Sequence, residues 1–145
     1  MHKRYIVDAS VAVKWLNATD EQSLEQALGC LRGAVEKKYE LLVPDLMLCE
    51  VSNAIVRGKG LKDRALERAL DVFFSLPLVY LRTTHMMIAT ASLLASEHFL
   101  SVYDAVYCAV ALEQHAPLIT GNIKHQGRVK GLAVIDIKDW QDWTE

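Results

Sequence analysis

Three acidic residues carry the chemistry this chain could perform: Asp8, Glu50 and Asp104. Asp8 follows the apolar run Arg4-Tyr5-Ile6-Val7 and precedes Ala9-Ser10, which reads as a strand-to-helix turn. An Asp there can simply cap the helix. Glu50 lies mid-helix among Leu48, Cys49 and Val51, with Asn53 one turn on and on the same face. A solvated helix face accounts for both. Asp104 opens a segment that is apolar on every side, Ala105 to Val110, where an acid either serves the helix dipole or points into a cleft. Singly, each acid has an ordinary structural use. Together they suggest a hard divalent cation, because carboxylates brought close repel one another unless a cation joins them. Phosphodiester cleavage is the chemistry that needs such a cluster: a bound metal helps form a nucleophilic water and offsets charge on the scissile phosphate.

Other side chains extend or limit that reading. Arg57, Lys59, Lys62, Arg64 and Arg68 outnumber Asp63 and Glu67, and Lys124, Arg128 and Lys130 cluster with His125. Either group can meet a nucleic-acid backbone or form a solvated face. Lys14, close to Asp8 in sequence, can face phosphate or lie at the surface. His2, His85, His98, His115 and His125 show no zinc-site spacing. Ser10 lacks the G-x-S-x-G turn of a hydrolase nucleophile, and no nucleotide-binding glycine loop occurs. Cys30, Cys49 and Cys108 form no C-x-x-C pair, and each is expected to be a buried thiol in a reducing cytoplasm.

These groups need a scaffold. Apolar runs at Arg4–Val7, Glu40–Val43, Leu78–Leu81, Leu118–Thr120 and Ala133–Ile137 read as strands of a buried parallel sheet. Helical periodicity falls between them, at Leu24–Val35 with an N-cap at Thr19 or Asp20, at Asp45–Arg57, at Ala65–Leu76, around Ala89–Leu94, and at Asp104–Leu112, the central buried helix. Strands alternating with helices predict an α/β domain, with its site beyond the carboxyl ends of the strands. The chain's 145 residues suit a single domain, 1–145. A hydrophobic content of 52% excludes a disordered chain, and a net charge of -2 argues against binding nucleic acid by bulk charge. No secretory signal is expected at MHKRYIVDASVAV. The longest uncharged stretch, Thr83 to Ser96, is 14 residues, too short for the ~20 that span a bilayer. Apolar residues in Leu48–Ile55 and Val72–Leu76 are candidates for interfaces.

The words around the acids resemble a family. Ile6-Val7-Asp8-Ala9-Ser10-Val11-Ala12-Val13-Lys14-Trp15-Leu16, Val43-Pro44-Asp45-Leu46-Met47-Leu48-Cys49-Glu50-Val51-Ser52-Asn53-Ala54, Leu100-Ser101-Val102-Tyr103-Asp104-Ala105-Val106-Tyr107-Cys108-Ala109 and Ala116-Pro117-Leu118-Ile119-Thr120-Gly121-Asn122 look like the four successive motifs of the PIN-domain ribonucleases, most closely the VapC-type toxins. The resemblance implies a three-layer α/β/α fold with a mostly parallel five-stranded sheet. It implies an Mg²⁺- or Mn²⁺-dependent endoribonuclease, commonly a homodimer, and paired with a small antitoxin protein. Carried onto this chain, it implies catalytic roles for Asp8, Glu50, Asp104 and Asn122, with the metal on Asp8, Glu50 and Asp104. Ser10, Lys14, Asn53, Thr120, Lys124 and Arg128 would meet RNA. One position departs from the pattern: Asn122 stands where the family usually has an acid, and Asp136, at the end of the fifth strand, is the remaining candidate for that charge. Asn122 also supports an alternative, a catalytically weakened relative that acts by binding RNA or protein. A phospho-accepting receiver domain is a third reading, suggested by Thr120 and Lys138 but lacking an acidic pair beside Asp8 and an acid after the third strand.

Overall fold

The computed structural model describes residues 2–16 and 22–141. Five parallel strands form one sheet: β1 (Lys3–Val7), β2 (Tyr39–Pro44), β3 (Leu78–Leu81), β4 (Leu118–Thr120) and β5 (Val134–Asp136), in spatial order β3-β2-β1-β4-β5. The register sets Ile6 beside Leu42 and Leu118, and Val7 beside Ile119. Ile6, Val7, Leu41, Val43, Leu118 and Ile119 are fully buried, so the continuous apolar runs reflect a sheet covered on both faces. All five expected strands occur, within a residue or two of their expected ends.

Seven α-helices connect the strands among the described residues: α1 (Ala9–Leu16), α2 (Leu24–Val35), α3 (Leu46–Asn53), α4 (Asp63–Ser75), α5 (His85–His98), α6 (Val102–Gln114) and α7 (Ile123–Gln126). The chain moves outward from β1 to β3 and then returns to β4 on the other side of β1. Right-handed crossovers put the helices before and after that reversal on opposite faces. In agreement, α1 packs on α2, α3 and α4, whereas α6 packs on α5 and α7. The result is the expected three-layer α/β/α domain. Helix α6 is apolar all round because the sheet covers one side and α5 the other; every residue from Ala105 to Ala111 is buried. Tyr5, Tyr39 and Trp140 stack edge to face at 5.1–5.7 Å and fasten the final 3₁₀ turn, Ile137–Asp139, to β1 and β2.

Three expectations need adjustment. The helix expected over Asp45–Arg57 is not uniform: α3 ends at Asn53 and widens into a π-turn over Ala54–Gly58, closed by a Lys59 N–H to Ala54 carbonyl bond of 3.0 Å. Cys30 and Cys108 are buried but Cys49 is exposed, because Met47, Val51 and Ile55 define the inner face of that helix and Cys49 lies off it. Thr19 and Asp20, the expected caps of α2, lie outside the described residues, and Ser23 occupies the N-cap position. The receiver alternative fails on topology, since that fold orders its strands 2-1-3-4-5. Among the described residues no helix is long and apolar enough to cross a membrane.

Candidate active site

Strand order reverses between β1 and β4, and a doubly wound sheet opens a crevice beyond the strand ends at such a point. Asp8 is the first residue past β1 there. Its N–H donates to the Ile119 carbonyl at 2.9 Å, continuing the sheet ladder by one residue, and its side chain is only 3% exposed. A buried carboxylate needs donors, and Asp8 has them. The Ser10 N–H and hydroxyl reach Oδ2 at 3.1 and 2.5 Å, and the Thr120 hydroxyl reaches it at 3.4 Å. Gln126 donates from Nε2 to Oδ1 at 3.1 Å. Ser10 and Thr120 are themselves held: Ser10 Oγ accepts the Gly121 N–H at 2.9 Å, and Thr120 Oγ1 accepts the Asn122 N–H at 2.9 Å. Their hydroxyls, expected to meet substrate, are committed to orienting Asp8.

Asp104 sits in the first turn of α6, where the Ser101 hydroxyl caps its N–H at 3.1 Å. Burial pushes its carboxyl above the usual range. The charge of Asp8 adds to that, while Ser101 and His125 pull the other way. Glu50, on α3, is also raised, first by burial and also by the charges of Asp8 and Asp104; the Tyr107 hydroxyl beside it eases the shift. Glu50 and Tyr107 face each other without meeting at hydrogen-bond geometry, since Glu50 Oε1 and the Tyr107 hydroxyl are both buried and unpartnered. Burial and the same acids also push up Tyr107 and move the Cys108 thiol to about 12. Asp8, just past β1, thus acts electrostatically on Asp104 of α6 and on Glu50 of α3, and Asp104 acts on Glu50, at the switch point.

The remaining expected residues lie further out. Asn122 is the N-cap residue of α7, and its exposed side chain forms no hydrogen bond among the described residues; only its backbone joins the network, the N–H donating to Thr120 Oγ1 and the carbonyl accepting from the Gln126 N–H at 3.2 Å. Asn53 ends α3 and is exposed. Lys14 lies in the last turn of α1, partly buried. Lys124 and Arg128 are exposed on and just after α7. Asp136 is turned to its own turn, capping Lys138 N–H at 3.1 Å and pairing with Lys138 Nζ at 3.7 Å.

Two residues of the site escaped sequence reasoning. Gln126 is fully buried, and its only sequence signal is a polar residue at helical spacing between Ile123 and Val129. Tyr107 lies three residues after Asp104, on the same face of a helix whose apolar character hid it.

Among the described residues no three His, Cys, Asp or Glu side chains close into a metal cage. Mg²⁺ does not require one, since it keeps several waters and uses one or two carboxylates. The donors are all hard oxygens, and the buried, unpartnered Glu50 Oε1 lacks a partner that a cation or its water would supply. The residues present fit such an ion.

Comparison with known proteins agrees with this architecture. Residues 5–132 match the PIN domain family, and the chain belongs to it. Among solved structures, VapBC2 from Rickettsia felis bound to a promoter DNA fragment aligns with a TM-score of 0.70 at 20% identity, covering 91% of this chain and 97% of its own. DNA-bound VapBC from Salmonella typhimurium gives 0.69 at 15% identity, with 94% and 99% covered. VapC20 from Mycobacterium tuberculosis, a sarcin–ricin loop cleaving toxin, gives 0.65 at 20% identity, with 87% and 97% covered. At such identities the likeness is one of fold. No curated protein sequence matches the chain.

Proposed function

We propose that this protein is a divalent-metal-dependent endoribonuclease, the toxin of a toxin–antitoxin pair. The observation that carries the proposal is the buried Asp8 at the switch point of the sheet, joined to the head of α6 beside Asp104 through Gln126, with the buried, unpartnered Glu50 Oε1 close enough to feel both acids. Asp8, Asp104 and Glu50 would hold Mg²⁺ or Mn²⁺. When bound, the ion would polarise the scissile phosphate and acidify an attacking water. The water oxygen forms a bond to phosphorus as the bond to the leaving sugar oxygen breaks. Glu50 Oε1, buried and without a hydrogen-bond donor, would face the ion or its bound water. Ser10 and Thr120 keep Asp8 in place. Lys124 and Arg128, with Lys14 and Asn53, would contact the RNA backbone, and Asn122 would stand at the rim of the site, where the family's fourth acid would add charge.

The partner proposed is a small antitoxin, as in the VapBC complexes that share the fold. The chain alone is proposed to form a homodimer in the cytoplasm. One feature favours a second reading, an RNA- or protein-binding relative with weakened catalysis: Asn122 offers an oxygen without charge.

Purified chain, free of partner, is expected to cut RNA with Mg²⁺ or Mn²⁺ and to stop in EDTA. Asp104→Asn is expected to abolish cleavage while leaving the metal-free melting temperature unchanged or raised, because repulsion with Asp8 is relieved. RNA cleavage that persists in Asp104→Asn would overturn the assignment. RNA binding without cleavage by the wild type would support the second reading.

A further inference from the structure

Donors divide unequally between the two oxygens of Asp8. Oδ2 receives three, the Ser10 N–H and hydroxyl and the Thr120 hydroxyl, whereas Oδ1 receives only Gln126 Nε2. A carboxylate oxygen offers about two lone-pair directions, so Oδ2 is filled and Oδ1 keeps one free. Gln126 Nε2 also lies 3.2 Å from the Asp104 backbone carbonyl. An amide nitrogen has two hydrogens, and it meets two acceptors here, one beyond β1 and one in the first turn of α6. Neither acceptor carries a hydrogen, which decides the amide's orientation: reversed, its oxygen would face both.

The choice of glutamine is informative. Residue 126 is fully buried, a setting where glutamine is uncommon, and its Oε1 has no hydrogen-bond partner. An apolar side chain would fill the space without stranding that oxygen. Gly127 follows because a Cβ there would strike the Ile123 carbonyl, so the backbone beyond Gln126 has little room to shift.

We propose that Gln126 is a positioning residue for the divalent cation. It clamps the end of β1 to the head of α6, sets the spacing of Asp8 and Asp104, and presents Asp8 Oδ1 as the coordinating oxygen. This rests on the metal-dependent reading above, yet the two fail separately.

Calorimetric titration of Mn²⁺ into the purified, RNA-free chain is the test, comparing wild type with Gln126→Leu and Gln126→Met. Both variants keep bulk and lose the donor. Without metal they are expected to stay folded but melt somewhat below wild type, because Asp8 Oδ1 and the Asp104 carbonyl lose their donor while the stranded amide oxygen is relieved. Their Mn²⁺ affinity should fall by about tenfold or more, the usual effect of removing a hydrogen bond to a ligating side chain. Cleavage should return toward the wild-type kcat at saturating Mn²⁺, with KM for RNA unchanged, which a general packing defect would not produce. Wild-type Mn²⁺ affinity in either folded variant would overturn the positioning role and leave the metal reading intact. Absence of Mn²⁺ binding by the wild type would overturn both.

Discussion

Asp104 and Glu50 hold protons more tightly in the folded chain than their ordinary pKa values of 3.8 and 4.5 imply, because both are partly removed from water beside like charges. The folded state therefore binds protons that the unfolded chain releases. Their contribution to stability is largest at low pH and declines as pH rises from about 4 through the raised values. Without metal, the melting temperature of Asp104→Asn should exceed that of wild type by a margin that widens as pH rises through this window. Mg²⁺ or Mn²⁺ should narrow the margin by favouring the charged forms. Differential scanning fluorimetry across pH, with EDTA and with metal, checks both; a margin independent of pH would mean that Asp104 is not strained by its surroundings.

Short backbone devices aim these residues. Ser101 caps α6 three residues before Asp104, so one hydroxyl both starts the helix and bonds the N–H of the acid-bearing residue. Ser101→Ala should lower stability by about 1 kcal/mol, read from denaturant unfolding. It should also raise the Asp104 carboxyl further, since the Ser101 hydroxyl beside that carboxyl favours its charged form. A carboxyl resonance titration by NMR would register that rise. On α2, Gly33 lies against the Tyr39 ring, whose hydroxyl donates to the Cys30 carbonyl at 2.6 Å. A methyl group at 33 would collide with the ring, so Gly33→Ala should cost about 1–3 kcal/mol through overpacking. The same denaturant series measures it.

Across the whole molecule, polar chemistry gathers at the carboxyl ends of the strands while apolar surface remains on the helices. Leu48, Ile88, Val102 and Tyr103 are exposed and line a cavity of about 470 Å³ between α3, α5 and α6, bordered by Asp45 and Thr83. Val72 and Phe74 are exposed on α4, as the composition of that helix foreshadowed. Apolar surface of this kind marks contact faces. If the cavity lies in the proposed homodimer, Ile88→Lys should convert the dimer to monomer by light scattering while leaving Mn²⁺ affinity unchanged. A dimer that persists would place self-association on another face.

The sequence by itself determined the alternation of strands and helices, because parallel strands covered on both sides must read as short apolar runs and amphipathic helices must repeat every three to four residues. It marked Asp8, Glu50 and Asp104, since acids inside apolar words are conspicuous. Three-dimensional packing decided what those acids touch. Gln126 lies 118 residues from Asp8 along the chain, and no local pattern encodes a bond across that distance. Tyr107 was hidden by an apolar helix, and the π-turn after Asn53 by a periodicity that cannot distinguish one helical pitch from another over a single turn. Thr120 and Asn122 looked alike as neighbours in one motif. Only the register of β4 against β1 gives the Thr120 hydroxyl to Asp8 and leaves the Asn122 side chain outside, because side chains separated by two residues cease to share a face once a strand gives way to a turn.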